Sequence, residues 1–225
     1  MDMKGLVASM KNAHMGGNRR HFIASVAALG ISPWAQAASA AHVLVLGDSL
    51  SAEYGLARGT GWVALLEQKL NAEKRNAKVT NASISGETTS GGRSRLAALL
   101  AQHQPSVVVI ELGGNDALRG LPLAGTLDNL RAMTQLAQNA GAKVLLLGMQ
   151  MPPNYGKKYA QDFEQLFVQV AQERKAALVP AFLQGVADAP NPTALFQADR
   201  IHPTAQAQPQ MLRNVWPQLQ PLLKP

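Results

Sequence analysis

The amino-acid sequence predicts a single-domain three-layer α/β/α fold, in which helices cover both faces of a five-stranded parallel sheet. Three observations lead to this prediction. Five short strand-like runs, of which 78–82 is the weaker, alternate with segments of helical spacing. The connections between them are short, and the clearest run, 107–112, is almost uniformly apolar. Uniformly apolar runs are typical of parallel strands that are buried on both faces. Alternation of such runs with helices favours successive crossover units within one sheet.

The first half of the domain alternates strand and helix. Trp62, Leu65, Leu66 and Leu70 recur at the spacing of one helix face. Pro105 ends the second predicted helix, since proline lacks the backbone N–H that a helix interior requires. These patterns predict strands at residues 42–46, 78–82 and 107–112 and helices at 62–75 and 93–103.

The second half continues the same alternation. A helix that ends at Gly141 precedes a fourth strand, because glycine readily adopts the left-handed conformation that terminates helices. We expect Pro203 to open the final helix at its first position, where a missing N–H costs nothing. The predicted elements are helices at 126–139, 159–174 and 204–219 and strands at 143–148 and 177–180.

The first forty residues have the pattern of an export signal. Arg19-Arg20 precede a short apolar run at 22–31, and small residues follow it with an Ala-x-Ala arrangement. The run is too short to span a membrane, and the paired arginines resemble a twin-arginine signal. We therefore predict cleavage after Ala38 or Ala40 and a periplasmic or secreted protein. The predicted division is a signal at 1–40 and a catalytic domain at 41–225.

Composition excludes several classes of function. The chain has no cysteine, so disulfides, thiolate metal sites and a cysteine nucleophile are excluded. Four basic residues and one acidic residue lie in the first forty, which leaves +4 of the net charge of +7 for the remainder. These charges are scattered without a basic run, which argues against nucleic-acid binding. A solvated surface is the favoured interpretation, with weak attraction to anionic lipid headgroups as the alternative. We expect a monomer without stable membrane insertion.

Polar residues that can perform acyl transfer follow the predicted strands. Ser49 and Asn115 each come directly after a strand, and the carboxyl ends of parallel strands meet at one edge of a sheet. Asp199 and His202 are three residues apart, so both side chains can lie on one face of a turn. A serine nucleophile requires a base, a carboxylate that orients the base, and donors for the oxyanion. The four residues can supply these roles.

Each of these residues also has a purely structural interpretation. Ser49 alone is an ordinary turn serine, and Asn115, which follows two glycines, is an ordinary loop residue. We expect Asp48 to be a hydrogen-bonding turn residue and Glu111 to be a paired structural carboxylate. Asp116 is expected to bond backbone groups of its own loop. It is the combination of the segments that favours a catalytic site.

Four segments resemble the conserved blocks of the SGNH (GDSL) hydrolases, in the family's order: 47–51, 81–86, 113–116 and 199–203. The resemblance extends from residue 42 to the C-terminus. Within the family, residues 111–116 and 118–120, together with Pro152 and 154–156, are similar to the bacterial periplasmic thioesterase I type. The resemblance implies a flavodoxin-like SGNH hydrolase fold and hydrolysis of acyl esters and thioesters, including arylesters, acyl-CoA and lysophospholipids.

The resemblance also implies the role of each site residue. Ser49 is the nucleophile of a triad with Asp199 and His202, and the oxyanion donors are the N–H groups of Ser49 and Gly86 and the side-chain amide of Asn115. Glycine suits the second position, because a carbonyl oxygen can approach a backbone that has no Cβ. No cofactor and no metal is implied.

The substrate pocket is less well specified by the sequence. Residues 118–123 can form a lid over an acyl chain, and methionine suits an adaptable apolar wall. Core packing is the alternative for the methionines, and Gln150 stands where similar enzymes often have arginine. Two other functions stay open, a carbohydrate O-deacetylase and a non-catalytic lipid- or glycan-binding protein. The expected substrate-binding residues are Leu118, Leu121, Met149, Met151 and Pro152.

Overall fold

The computed structural model describes residues 40–151 and 153–224 and confirms the predicted three-layer α/β/α architecture. All five strands are parallel, in the order β2-β1-β3-β4-β5, which is the flavodoxin-like order. Residues 1–39 of the predicted export signal lie outside the described residues. The strands are β1 (Ala41–Gly47), β2 (Ala77–Asn81), β3 (Val107–Glu111), β4 (Lys143–Leu147) and β5 (Ala177–Val179).

The helices follow the predicted order, and their bounds differ from the prediction at several places. A short helix lies where a loop was expected, and the last helix begins at Gln208 instead of Thr204. Pro203 does not open that helix, because it forms an antiparallel bridge with Phe196. Within the described residues, no helix is both long enough and apolar enough to span a bilayer. The helices are α1 (Trp62–Ala72), α2 (Thr89–His103), α3 (Gly114–Leu118), α4 (Leu123–Asn139), α5 (Lys157–Arg174) and α6 (Gln208–Leu219).

The core consists of two apolar layers, one on each face of the sheet. Alternate residues of β1 point into opposite layers, as the period of a strand requires. Leu44 and Leu46 pack with side chains of α2, α4 and α5. Val43 and Val45 pack with side chains of α1 and α6. Burial on both faces explains why β1, β3 and β4 are largely apolar, whereas the edge strand β2 is only partly buried and contains Lys78, Thr80 and Asn81.

Helix α2 begins four residues earlier than its sequence pattern predicts. Gly91 and Gly92 weaken the helical pattern there, but a Cβ at Gly92 would come within 2.3 Å of Leu112 Cδ1. The glycine therefore allows the helix to pack closely against the chain that leaves β3. The Thr88 hydroxyl accepts a hydrogen bond from the Gly91 N–H and caps the helix.

The connections divide into two sets, which we call the carboxyl edge and the amino edge of the sheet. The carboxyl edge is formed by the connections that leave the strands, and the amino edge by those that enter them. Because the sheet is parallel, every strand-to-helix connection lies on the carboxyl edge. The carboxyl edge comprises residues 48–61, 82–88, 112–122, 148–156 and 180–207, and the amino edge 73–76, 104–106, 140–142 and 175–176.

Candidate active site

Ser49, His202 and Asp199 form a continuous hydrogen-bonded chain at the carboxyl edge. Nε2 of His202 lies 2.9 Å from Oγ of Ser49, and Nδ1 lies 2.7 Å from Oδ2 of Asp199. Ser49 comes directly after β1, and Asn115 follows the neighbouring strand β3. In a sheet of this order, the β1/β3 junction is the point where ligands bind. The structure therefore brings together all four residues that the sequence singles out for chemistry.

The Asp199–His202 turn holds its own carboxylate in place. Oδ1 of Asp199 accepts hydrogen bonds from the N–H groups of His202 and Ile201, at 3.0 and 2.9 Å. These two bonds, with the contact to the His202 ring, lower the pKa of Asp199 to about 2. Asp199 is therefore a carboxylate at neutral pH, and it can orient the imidazole with Nδ1–H donating and Nε2 facing Ser49.

Tyr54 is a site residue that the sequence analysis missed. Its ring centroid lies 4.3 Å from that of His202, at an interplanar angle of 39°. The carbonyl of Tyr54 accepts a hydrogen bond from the Gln197 side chain, which joins its connection to that of His202. Glu53, in the left-handed conformation, accepts hydrogen bonds from the N–H groups of Gly59 and Gly61. The only signal in the sequence is an aromatic residue five positions after the serine.

Two backbone N–H groups at the site are available to a ligand. The N–H groups of Ser49 and Gly86 have no acceptor among the described residues. Gly86 has a φ of 79°, in the left-handed region that favours glycine. Arg119 donates a hydrogen bond of 2.7 Å to the Gly86 carbonyl and so fixes this peptide. These are the two backbone donors that the resemblance implies.

Asn115 lies in the first turn of α3, not in the expected loop. Its Nδ2 donates to Oδ2 of Asp48 at 2.9 Å and to the carbonyl of Glu87 at 3.1 Å. Both hydrogens of the amide are therefore engaged in the free protein. An oxyanion can use this donor only by replacing one of those two acceptors.

Asp48 belongs to a pair of buried carboxyl groups that extends beneath the site. Glu111 Oε2 accepts hydrogen bonds from the Ser51 hydroxyl at 2.7 Å and from the Asp48 N–H at 3.2 Å. Burial raises the pKa of Asp48 to about 6, and burial together with the charge of Asp48 raises the pKa of Glu111 well above its ordinary value. Each of the two carboxyl groups therefore holds its proton to a higher pH than a free carboxyl group does. Asp48 and Glu111 have the structural roles that the sequence predicts.

Contacts of Gly47 and Asp116 explain why these two residues stand next to the site. A Cβ at Gly47 would come within 2.7 Å of Oε2 of Glu111, so only glycine allows the carboxyl group to lie there. Asp116 bonds the N–H and the hydroxyl of Thr89 at the start of α2, and more weakly the hydroxyl of Thr126. The partners of the Asp116 side chain therefore lie on other helices and not in its own loop, so that prediction was wrong.

The predicted substrate-binding residues have different environments. Leu118 and Leu121 are exposed on the connection that carries Asn115. Met149 is buried in the core, where a Cβ on Gly114 would lie 3.0 Å from its sulfur, so its position supports core packing. Met151 is partly buried against the same core layer, and Pro152 lies outside the described residues.

Comparison with known families identifies the chain. The model of the GDSL-like Lipase/Acylhydrolase family matches residues 45–208. The chain belongs to this family. It is 53% identical to "Esterase TesA" of Pseudomonas aeruginosa over 188 residues, covering 84% of this chain and 92% of that protein. It is 42% identical to "Thioesterase 1/protease 1/lysophospholipase L1" of Escherichia coli K12 over 188 residues, covering 84% and 88%.

A solved structure agrees with these relatives. The esterase EstA from Pseudoalteromonas sp., inhibited by monoethylphosphonate, superimposes with a TM-score of 0.76 at 41% sequence identity. The match covers 81% of this chain and 98% of EstA. Family, relatives and fold together make this chain an enzyme that hydrolyses carboxylic esters, with the fold of the SGNH hydrolases.

Proposed function

We propose that the enzyme hydrolyses acyl esters and thioesters through an acyl-enzyme on Ser49. The observation that carries the proposal is the hydrogen-bonded chain from Asp199 through His202 to Ser49. His202 accepts the proton of the Ser49 hydroxyl while Oγ attacks the carbonyl carbon. The tetrahedral intermediate collapses, and the alkoxide or thiolate leaves with the proton from His202. Water, activated by the same imidazole, then cleaves the acyl-enzyme and releases the acid.

The oxyanion is bound by three donors in this proposal. The N–H groups of Ser49 and Gly86 point to no protein acceptor among the described residues, which supports their assignment. The amide of Asn115 turns one N–H from Asp48 or Glu87 to the oxyanion as negative charge develops. That exchange favours the transition state over the neutral carbonyl of the substrate, which is the condition for faster chemistry.

We propose arylesters, acyl-CoA thioesters and lysophospholipids as substrates. The names of the two relatives, one an esterase and the other a thioesterase and lysophospholipase, support esters, thioesters and lysophospholipids as substrate classes. Exposed Leu118 and Leu121 beside Asn115 provide an apolar surface for an acyl chain. We propose further that residues 1–40 direct export, which places a monomeric enzyme in the periplasm or outside the cell.

Labelling with a fluorophosphonate probe tests the nucleophile. Ser49→Ala should abolish labelling and lower kcat for p-nitrophenyl butyrate by at least about 10⁴-fold. Ser106→Ala is the matched control, because Ser106 lies at the amino edge and, among the described residues, its hydroxyl bonds only to backbone groups of His42. It should retain full labelling and activity. Labelling that persists in Ser49→Ala contradicts the proposal.

A substrate series tests the acyl specificity. The wild type should hydrolyse acyl-CoA and p-nitrophenyl esters of increasing chain length faster than acetylated sugars, because apolar side chains flank the site. A preference for acetyl groups on sugars contradicts the proposed substrates and favours a carbohydrate O-deacetylase, while leaving the role of Ser49 intact.

A further inference from the structure

The large apolar side chains that are exposed in the described residues all lie on the carboxyl edge. Their exposed fractions run from 36% to 51%. Single exposed apolar residues are normal on protein surfaces, so it is their confinement to one edge that requires an explanation. They are distributed over all five connections of that edge. The six, which we call the apolar rim, are Tyr54, Ile84, Leu118, Leu121, Tyr155 and Ile201.

The apolar rim surrounds the catalytic chain. Tyr54 packs on the ring of His202, and Ile201 is the residue next to His202. On the far sides, Ile84 follows β2 and Tyr155 follows β4, which are three strand positions apart in the sheet. Three strand spacings correspond to about 14 Å. The rim therefore borders the whole mouth of the site and is not confined to one groove.

Exposed cations accompany the apolar rim. Arg58, Arg119, Lys157 and Arg200 all lie on the carboxyl edge or at its border and are exposed. None of the four forms an ion pair with any described residue. They come from four different connections, so positive charge is spread around the rim.

The carboxylates of the same edge offset this charge only in part, because two of the seven, Asp188 and Asp199, are exposed at the surface. Glu53 accepts hydrogen bonds from Gly59 and Gly61, and Glu87 pairs with Arg95. Asp188 and Asp199 each accept hydrogen bonds from N–H groups of their own turns. Asp48, Glu111 and Asp116 are buried.

We propose that the carboxyl edge is a docking surface for an anionic phospholipid bilayer, with the apolar rim entering the interface and the four cations binding the headgroups. Apolar side chains combined with lysine and arginine are the composition that binds such interfaces. The inference rests on the proposed function, because docking would open Ser49 to acyl esters held in the lipid. A second copy of this chain is a poorer occupant, since twofold pairing would bring the cations of both copies together.

Vesicle sedimentation with matched variants of the full chain tests the proposal. Two double variants alter the surface without touching a residue assigned to catalysis or substrate binding: Arg58→Ser with Lys157→Ser, and Ile84→Ser with Tyr155→Ser. Lys74→Ser with Lys175→Ser is the control, because these two exposed lysines lie at the amino edge. All variants retain residues 1–39, so any lipid binding by that segment is common to all.

The wild type should sediment with phosphatidylglycerol vesicles more than with phosphatidylcholine vesicles, and salt should weaken the binding. Loss of two cations should weaken it by about fivefold each, or about twenty- to thirtyfold together. Loss of two apolar rim side chains should weaken it by about tenfold or more. The control should bind like the wild type, and all variants should hydrolyse p-nitrophenyl butyrate at the wild-type rate.

Equal vesicle binding by the wild type and both carboxyl-edge variants would overturn the docking proposal. So would self-association of the lipid-free wild type in sedimentation velocity that Ile84→Ser with Tyr155→Ser removes, because a second copy would then be the occupant. Vesicle binding without any hydrolysis of p-nitrophenyl butyrate would instead refute the proposed function alone. The two failures are therefore distinguishable.

Discussion

The two edges of the sheet join the same strands and helices by different kinds of connection. At the amino edge the connections are two to four residues long. Each contains one residue in the left-handed conformation: Lys74, Gln104, Gly141 and Lys175. At the carboxyl edge the connections are seven to 28 residues long and carry the catalytic chain, the apolar rim and the exposed cations.

The difference shows where stability and function lie in this fold. A short connection only has to reverse the chain, and one left-handed residue is enough for that purpose. A long connection can place polar groups at the site, but it also buries carboxyl groups such as those of Asp48 and Glu111. Burial of a carboxyl group costs free energy. Substitutions at the two edges should therefore change kcat and the free energy of unfolding to different extents.

Among the comparisons between the two edges, the largest effect is expected for Asn115, the proposed oxyanion donor at the carboxyl edge. Asn115→Ala should lower kcat for p-nitrophenyl butyrate by about 10²–10³-fold with little change in KM, because the donor acts mainly on the transition state. Asn139→Ala, at the end of α4 beside the amino edge, is the matched control and should leave kcat unchanged. Equal kcat values for Asn115→Ala and the wild type would remove Asn115 from the oxyanion site.

A smaller effect, dependent on pH, is expected beneath the site. The pKa of Glu111 is raised well above 4.5, so the folded protein keeps a proton that the unfolded chain loses. The free energy of unfolding therefore falls as pH rises from about 4.5 toward the pKa of the folded state. Glu111→Gln removes this dependence, and its stability relative to the wild type should increase with pH in urea titrations.

Glu173→Gln is the control for the Glu111 experiment. Glu173 lies on the protein surface, and its hydrogen bonds with Arg131 and Gln169 lower its pKa to about 2. A lowered pKa stabilises the fold above the unfolded pKa, and this contribution is lost as pH falls toward 2. The stability of Glu173→Gln relative to the wild type should therefore decrease as pH rises. If the stability of both variants relative to the wild type changed with pH in the same direction, the raised pKa of Glu111 would be contradicted.

The smallest effect is expected at the amino edge. Gln104 ends α2 with a φ of 44°, a conformation that is strained for residues other than glycine. Gln104→Gly should raise the free energy of unfolding by about 0.5–1 kcal/mol and leave kcat unchanged. Gln165→Gly, on the exposed face of α5, should lower it by about 1 kcal/mol. A loss of stability in Gln104→Gly would show that the flexibility of the unfolded chain dominates.

The sheet could be predicted because its central strands β1, β3 and β4 are buried on both faces, which leaves a strong apolar signal. The helix boundaries were less predictable where tertiary contacts decide them. Helix α2 begins earlier than its sequence predicts because close packing against Leu112 requires a glycine at position 92. That glycine lowers the apparent helix propensity of the segment. The start of α6 was placed too early because Pro203 bridges to Phe196, which cannot be inferred from either residue alone.

Within the site, roles that follow from local sequence were easier to predict than contacts between connections. The spacing of Asp199 and His202 is local and indicated their proximity. The stacking of Tyr54 on His202 and the bond from Asn115 to Asp48 join separate connections, so no local pattern encodes them. The placement of Arg58, Arg119, Lys157 and Arg200 around the apolar rim was missed for the same reason, since they are scattered in the sequence.

The bond between His202 Nε2 and Ser49 Oγ joins residues that are 153 positions apart. Asp199 and His202 stay together through their own turn, whereas Ser49 meets them only while the 28-residue connection 180–207 stays packed against the connection 48–61. The rate of hydrolysis therefore reports whether the contact between Ser49 and His202 is intact. On heating, hydrolysis should cease before the helices melt, so residual activity reports the earliest loosening of the molecule.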